Sequence, residues 1–201
     1  CPERIKKQVE FLEQNKKIDL VTTGVCSLDE NDDVIGVRVV AKNHTIKNIE
    51  QVYAGGHGIV HASIMARKNW CKRNLYSETL KRAQDFDLWI RSFAKDDLKV
   101  GYLPYPSYYY RENCSVEKDK LLNGYKAGFD IIKLNEKNLD SVVLKKLRLT
   151  FKYIAVTIFF DIGLEKWLLS RRFTEEVDDT HVLKFKRDFL KINSNSNSNS
   201  N

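Results

Sequence analysis

The chain has 201 residues, 42% of them hydrophobic and 30% charged, with nine glycines and three prolines. That composition supports one domain with a real core, or one and a half small ones, and excludes collagenous, mucin-like and wholly disordered classes. The formal net charge of +7 leaves an anionic partner open.

A spanning helix needs roughly 20 nearly uninterrupted apolar residues. Tyr153 to Leu164 comes nearest, but it is short and Asp161 breaks it, so no transmembrane span is expected. The opening Cys1-Pro2-Glu3-Arg4-Ile5-Lys6-Lys7-Gln8 carries charges where a signal peptide would turn apolar. We therefore expect a cytoplasmic protein, with a peripheral place at a membrane left open. The first residue is Cys rather than Met, which suits a piece of a longer protein. Cys1, Cys26, Cys71 and Cys114 lie far apart without a CxxC pair. The expectation is scattered reduced thiols, with neither zinc nor a disulfide framework.

In chain order, Pro2 to Asn15 reads as an amphipathic helix with Ile5, Val9 and Leu12 at helical spacing and Gln8 and Phe11 beside them. Ile18 to Leu28 is rich in β-branched residues and reads as a largely buried strand. Asp29 to Asp33 is a polar turn rather than a metal site, and Val34 to Val40 completes a hairpin. Thr45 can cap a short helix through Tyr53, with Ile46, Ile49 and Val52 on one face. Gly55-Gly56-His57-Gly58 permits unusual backbone angles but lacks a phosphate-loop pattern. Ile59 to Arg67 alternates like a strand. Phe86 to Ala94 is a short helix led in by Arg82 to Asp85, with Phe86, Trp89, Ile90 and Phe93 along one side. Val100 to Tyr110 is a strand that Pro104 and Pro106 make irregular or confine to an edge.

Beyond Ser115 the pattern is helical: Val116 to Leu134, then Ser141 to Arg172 in two segments bent near Gly163. Residues 1–115 thus form an α/β unit, residues 116–192 a helical extension, and the Asn-Ser alternation of residues 193–201 a disordered tail. Val142 to Thr174 holds seven basic and two acidic residues, interleaved with Phe151, Tyr153, Phe159, Phe160 and Trp167. Such a stretch can meet an anionic membrane or, less suitably, nucleic acid. The plainer reading, preferred at this level, is a helical pair with apolar residues packed inward and solvated lysines.

Four motifs go further. Pro2 to Leu12 resembles the helix that follows the metal- and nucleotide-binding aspartates in the inverting glycosyltransferase family 2. Ile59-Val60-His61-Ala62-Ser63-Ile64-Met65-Ala66-Arg67 is similar to that family's His-Pro-Ser-Val-Met-x-Arg strand, with Ala62 for proline. Ala83-Gln84-Asp85-Phe86-Asp87-Leu88-Trp89-Ile90-Arg91 resembles its Glu-Asp-Tyr-Asp-Leu-Trp-x-Arg motif, and Tyr109-Tyr110-Arg111 falls where its last core strand ends in Tyr-Arg. The four lie in family order over residues 2 to about 115.

The resemblance implies a GT-A fold and transfer of a sugar from a nucleotide-sugar donor to a glycan or lipid-linked acceptor, in polysaccharide or glycan biosynthesis. It implies a divalent cation, Mn²⁺ or Mg²⁺, bound mainly by an upstream nucleotide-binding half with an Asp-x-Asp motif. Without that half, this chain alone is expected to be inactive. The sequence departs from the family at Asn113, where a histidine often completes the metal shell, and at His57-Gly58, where Asn-Pro is common.

The chemistry can also be argued from the residues. An inverting transfer needs a carboxylate to take the acceptor's proton and a cation to hold the leaving diphosphate. Asp87 and Arg91 are four apart and can pair on the helix surface, which leaves Asp85 at the helix head as the base, or merely as an N-cap. Gln84, His61, Trp89 and Arg111 are candidate substrate contacts. Each has a plainer alternative: core packing for Trp89, a backbone-bonded histidine for His61, a surface ion pair for Arg111. A non-catalytic basic binding module, or a degenerate fragment, is the rival to the enzyme.

Overall fold

A computed structural model describes residues 1–112 and 118–198 of the chain. Helix α1 (Arg4–Gln14) leads to strand β1 (Leu20–Leu28) and strand β2 (Val34–Arg38). Helix α2 (Ile49–Tyr53), a 3-10 turn (His61–Ser63), strand β3 (Met65–Ala66) and helix α3 (Lys68–Arg73) follow. Helix α4 (Gln84–Ala94) and strand β4 (Val100–Arg111) complete the α/β part. Helices α5 (Lys118–Asn135), α6 (Leu139–Asp161), α7 (Glu165–Ser170) and α8 (Asp179–Ser198) make up the rest.

The described strands form a mixed sheet around β1, consistent with a partial Rossmann-like fold. All nine residues of β1 are buried, hydroxyl-bearing Thr22, Thr23 and Ser27 included, as suits a central strand covered on both faces. On one edge β1 pairs antiparallel with β2 and, through Leu20 and Val21, with β3. On the other it pairs parallel with β4. The proline effect takes the form expected. Strand β4 lies at an edge, and its register slips where Pro104 and Pro106 face Thr23 to Val25.

The main core gathers Leu20, Val52, Ile59, Trp70, Leu88 and Ile90. Gly101 lies so close to Phe11 that a Cβ there would meet the ring at 2.2 Å, which lets α1 approach β4.

Several local expectations are corrected. The buried positions of α1 are Gln8 and Leu12, while Ile5 and Val9 are exposed. The face turns because the Gln8 amide satisfies two strand-side carbonyls, donating to Ser63 O (2.7 Å) and Val21 O (3.3 Å). Asn48, not Thr45, caps α2, its Oδ1 accepting from Gln51 N at 2.9 Å. Ile59 to Arg67 is a 3-10 turn plus a two-residue strand rather than one strand. The buried Ser63 hydroxyl pulls the chain in: it accepts from Thr23 N at 3.1 Å and lies 3.0 Å from Thr22 Oγ1. Helix α8 runs to Ser198, into the Asn-Ser alternation; residues 199–201 lie outside those described, as do 113–117.

The break near Gly163 is present, with φ +74° between α6 and α7. Inward packing of the 142–174 stretch holds on one side only. Lys145 is buried, ion-paired with Glu136 and with Glu50 (2.9 Å). The opposite side of α6, with Leu144, Leu147 and Phe151, faces solvent.

Candidate functional site

The first turn of α4 carries the site. Its N-cap is Ala83, in the left-handed region at φ +54° with no side-chain capping bond. A non-glycine residue there costs on the order of 1–3 kcal/mol. Asp85 is therefore the second residue of the helix, not its cap, which removes the N-cap alternative. Its carboxylate makes no hydrogen bond or ion pair among the described residues, at the end of the helix where the macrodipole favours an anion.

Asp87 is the opposite case. Its Oδ2 accepts from Arg91 Nε at 2.7 Å and its Oδ1 from Asn135 Nδ2 at 3.0 Å, with only 4% of the side chain exposed. The Asp87–Arg91 pair thus forms as the spacing predicts, but inside the molecule, where it ties α4 to α5. Arg91 also donates to Leu75 O at 2.8 Å, which holds the segment before Tyr76.

His57 and Tyr76 lie within the field of the Asp85 carboxylate, and Tyr76 links through His61 to Trp89. Tyr76 Oη lies 3.4 Å from His61 Nε2 with the rings edge-on. His61 leans on Trp89, ring centroids 5.9 Å apart. Trp89 itself is buried and stacks on Trp70 at 6.1 Å, so it supports the histidine from the core. Gln84 is exposed and donates to Leu80 O (2.8 Å) and Ser77 O (3.3 Å), pinning the loop before the helix.

His57 and Tyr76 are site residues that motif reading missed. His57 Nδ1 accepts from Ile59 N at 3.0 Å, which fixes the proton on Nε2, and its carbonyl accepts from Tyr102 Oη at 2.6 Å. Burial lowers the imidazole to about 4, partly opposed by the Asp85 carboxylate. His57 is therefore neutral near pH 7. Burial, and then Asp85, raise the Tyr76 phenol above its ordinary value. The glycine cluster was the signal for His57, since Gly58 at φ +69° packs against Val40 and Tyr102. Nothing local marks Tyr76.

Arg111 is not brought to this cluster. It sits opposite Leu28, five residues or roughly 17 Å along β1 from Thr23, where the 3-10 turn docks. There it pairs with Asp32 and lines a separate cavity with Tyr109, Phe185 and Phe189. Asn113 lies outside the described residues. Among those described, no three His, Cys, Asp or Glu side chains gather as a divalent ion requires, so these residues by themselves do not fit a metal site.

Beside the first turn of α4 runs an apolar groove of about 330 Å³, walled by Ala83 and Phe86, Tyr53 of α2, Leu121 and Tyr125 of α5, and Leu149 of α6. Its lining residues Ala83 and Phe86 bracket Gln84 and Asp85 in the chain.

No helix among the described residues is long and apolar enough to cross a membrane. No family model matches the chain. Over 95 residues, 47% of its length, it is 35% identical to an uncharacterized glycosyltransferase of Methanocaldococcus jannaschii. The match spans 32% of that protein, so the chain is similar to a glycosyltransferase over about a third of the relative's length.

Proposed function

We propose that this chain is the acceptor-side portion of an inverting, family 2-like glycosyltransferase of GT-A type, with Asp85 as its general base. The observation that carries the reading is the contrast between the two acids of α4: Asp87 is committed to Arg91 and Asn135, whereas Asp85 is uncommitted. The similarity to a glycosyltransferase and the order of the four motifs support it.

In the proposed step the acceptor hydroxyl gives its proton to the Asp85 carboxylate as its oxygen bonds to the anomeric carbon. The bond from that carbon to the donor's diphosphate breaks on the opposite face, and its electron pair leaves with the diphosphate, which inverts the centre. Neutral His57 has its Nε2–H available as a donor, suited to orienting an oxygen without adding charge. His61 and Tyr76 offer further polar edges to an acceptor. The apolar groove at Ala83 and Phe86 suits the apolar part of a lipid-linked acceptor better than a purely hydroxylated glycan. The nucleotide-sugar donor and the Mn²⁺ or Mg²⁺ belong to the same proposal, and no step here is assigned to the metal.

The test is Asp85→Asn in the full-length gene product, assayed for sugar transfer. The carboxylate makes no side-chain bond to lose, so folding and donor binding should persist. Transfer should fall by about 10²–10⁴-fold. Near-parental transfer by the variant would remove Asp85 from the chemistry.

A further inference from the structure

The outer side of α6 presents Leu144, Leu147, Phe151, Ile154 and Ile158, each 50–75% exposed. Their spacing of three and four puts them on one stripe. The exposed apolar run continues through Ile162, Leu164 and Trp167 of α7. A helix of this composition normally has both sides covered, yet here only the side toward α2 and α5 is, where Lys145 meets Glu50 and Glu136. Contiguous apolar surface of this kind marks an interaction site.

Charge decides what covers it. Lys166, Arg171 and Arg172 are exposed at the α7 end of the stripe, and Arg148 is exposed at its margin, where it also lines a crevice with Tyr53 and Lys145; none of the four has an ion-pair partner among the described residues. Arg171 rests on the Trp167 ring at 5.5 Å. Of the two acids between positions 142 and 174, Asp161 is already paired with Lys118 at 2.5 Å, leaving Glu165. A second copy of the chain laid on this face would oppose like charges. An anionic lipid surface satisfies both features at once, taking the apolar stripe at the acyl boundary and the guanidinium and ammonium groups among the phosphates.

We infer that the α6–α7 face lies on an anionic membrane surface, binding in its plane without crossing it. This is independent of the transferase reading, because none of these residues belongs to the Asp85 site.

The test is co-sedimentation of the chain with vesicles of phosphatidylcholine alone or mixed with phosphatidylglycerol, with tryptophan emission read in parallel. Trp70 and Trp89 are buried and Trp167 is half exposed, so a blue shift on binding reports α7. Expected are binding to the mixed vesicles only, a blue shift, and a drop of roughly tenfold or more between about 0.1 M and about 1 M salt. Phe151→Glu and Leu147→Glu alter solvent-facing positions, so helicity by circular dichroism should hold while binding is lost. Absence of binding, or equal binding to both vesicle types, overturns the inference. A salt-insensitive dimer in sedimentation that Phe151→Glu dissociates would assign the face to a second copy instead.

Discussion

Asp87→Asn separates the roles of the two α4 acids on the stability side. In the native molecule the Asp87 carboxylate holds Arg91 Nε at 2.7 Å and Asn135 Nδ2 at 3.0 Å. Asparagine can still accept from Asn135, but its Nδ2 then faces the Arg91 donor, so one charge-assisted bond is replaced by two opposed donors. A hydrogen bond to a charged group contributes about 1.5–3 kcal/mol, and breaking a fully buried pair costs about 3–5 kcal/mol. Arg91 keeps 28% of its side chain in water and its bond to Leu75 O, so its charge is not stranded and the lower range applies. We expect a loss of about 2–3 kcal/mol, or about 4–12 °C in Tm for a chain of this size. Urea and thermal unfolding followed by circular dichroism measure it, with Asp85→Asn as the comparison, expected to lose less than about 1 kcal/mol. A loss below about 0.5 kcal/mol for Asp87→Asn, the usual value of an exposed pair, would show that the tie from α4 to α5 is not structural.

Ala83→Gly should raise stability by about 1 kcal/mol, because glycine takes the left-handed cap at φ +54° without steric cost; an unchanged or lower midpoint in urea refutes that. The His57 imidazole lies below its ordinary value of 6.5, at about 4. The unfolded chain therefore binds that proton first as pH falls, and stability should be lost progressively from about pH 6.5 to about pH 4. His57→Asn, which retains an acceptor for Ile59 N, should flatten that slope in unfolding measured across the window, and an identical slope would place the buried histidine elsewhere.

What was legible in the sequence was whatever a local pattern decides. The β-branched residues between Ile18 and Leu28 marked a largely buried strand, Pro104 and Pro106 marked an irregular edge, and Gly163 marked the α6–α7 break. The four-residue spacing of Asp87 and Arg91 gave the pair, but not its burial, since Asn135 arrives from a helix 48 positions later. Ser63 shows the same limit. Alternation around it reads as a strand, while its hydroxyl is captured by Thr22 and Thr23, 40 positions upstream and more, into a 3-10 turn. The α1 face turned for a like reason, because a glutamine with two distant carbonyls to satisfy is buried in preference to Ile5. At the site, motif order pointed to Asp85, but Tyr76 reaches it through folding alone, and Arg111 is carried away by the length of β4.

The parallel pairing of β1 with β4 joins position 20 to position 100, and the hairpin, the 3-10 turn and α4 all lie inside the loop it closes. Closing such a loop demands chain entropy before the contacts repay it, which makes this step slow compared with forming the β1–β2 hairpin. His57, Tyr76 and Asp85 thus acquire their common environment only once the roughly 80 positions from Leu20 to Val100 have been spanned, and during synthesis the cluster stays unassembled until β4 has emerged. An early-terminated chain that lacks β4 would carry every residue of the cluster and still have no site.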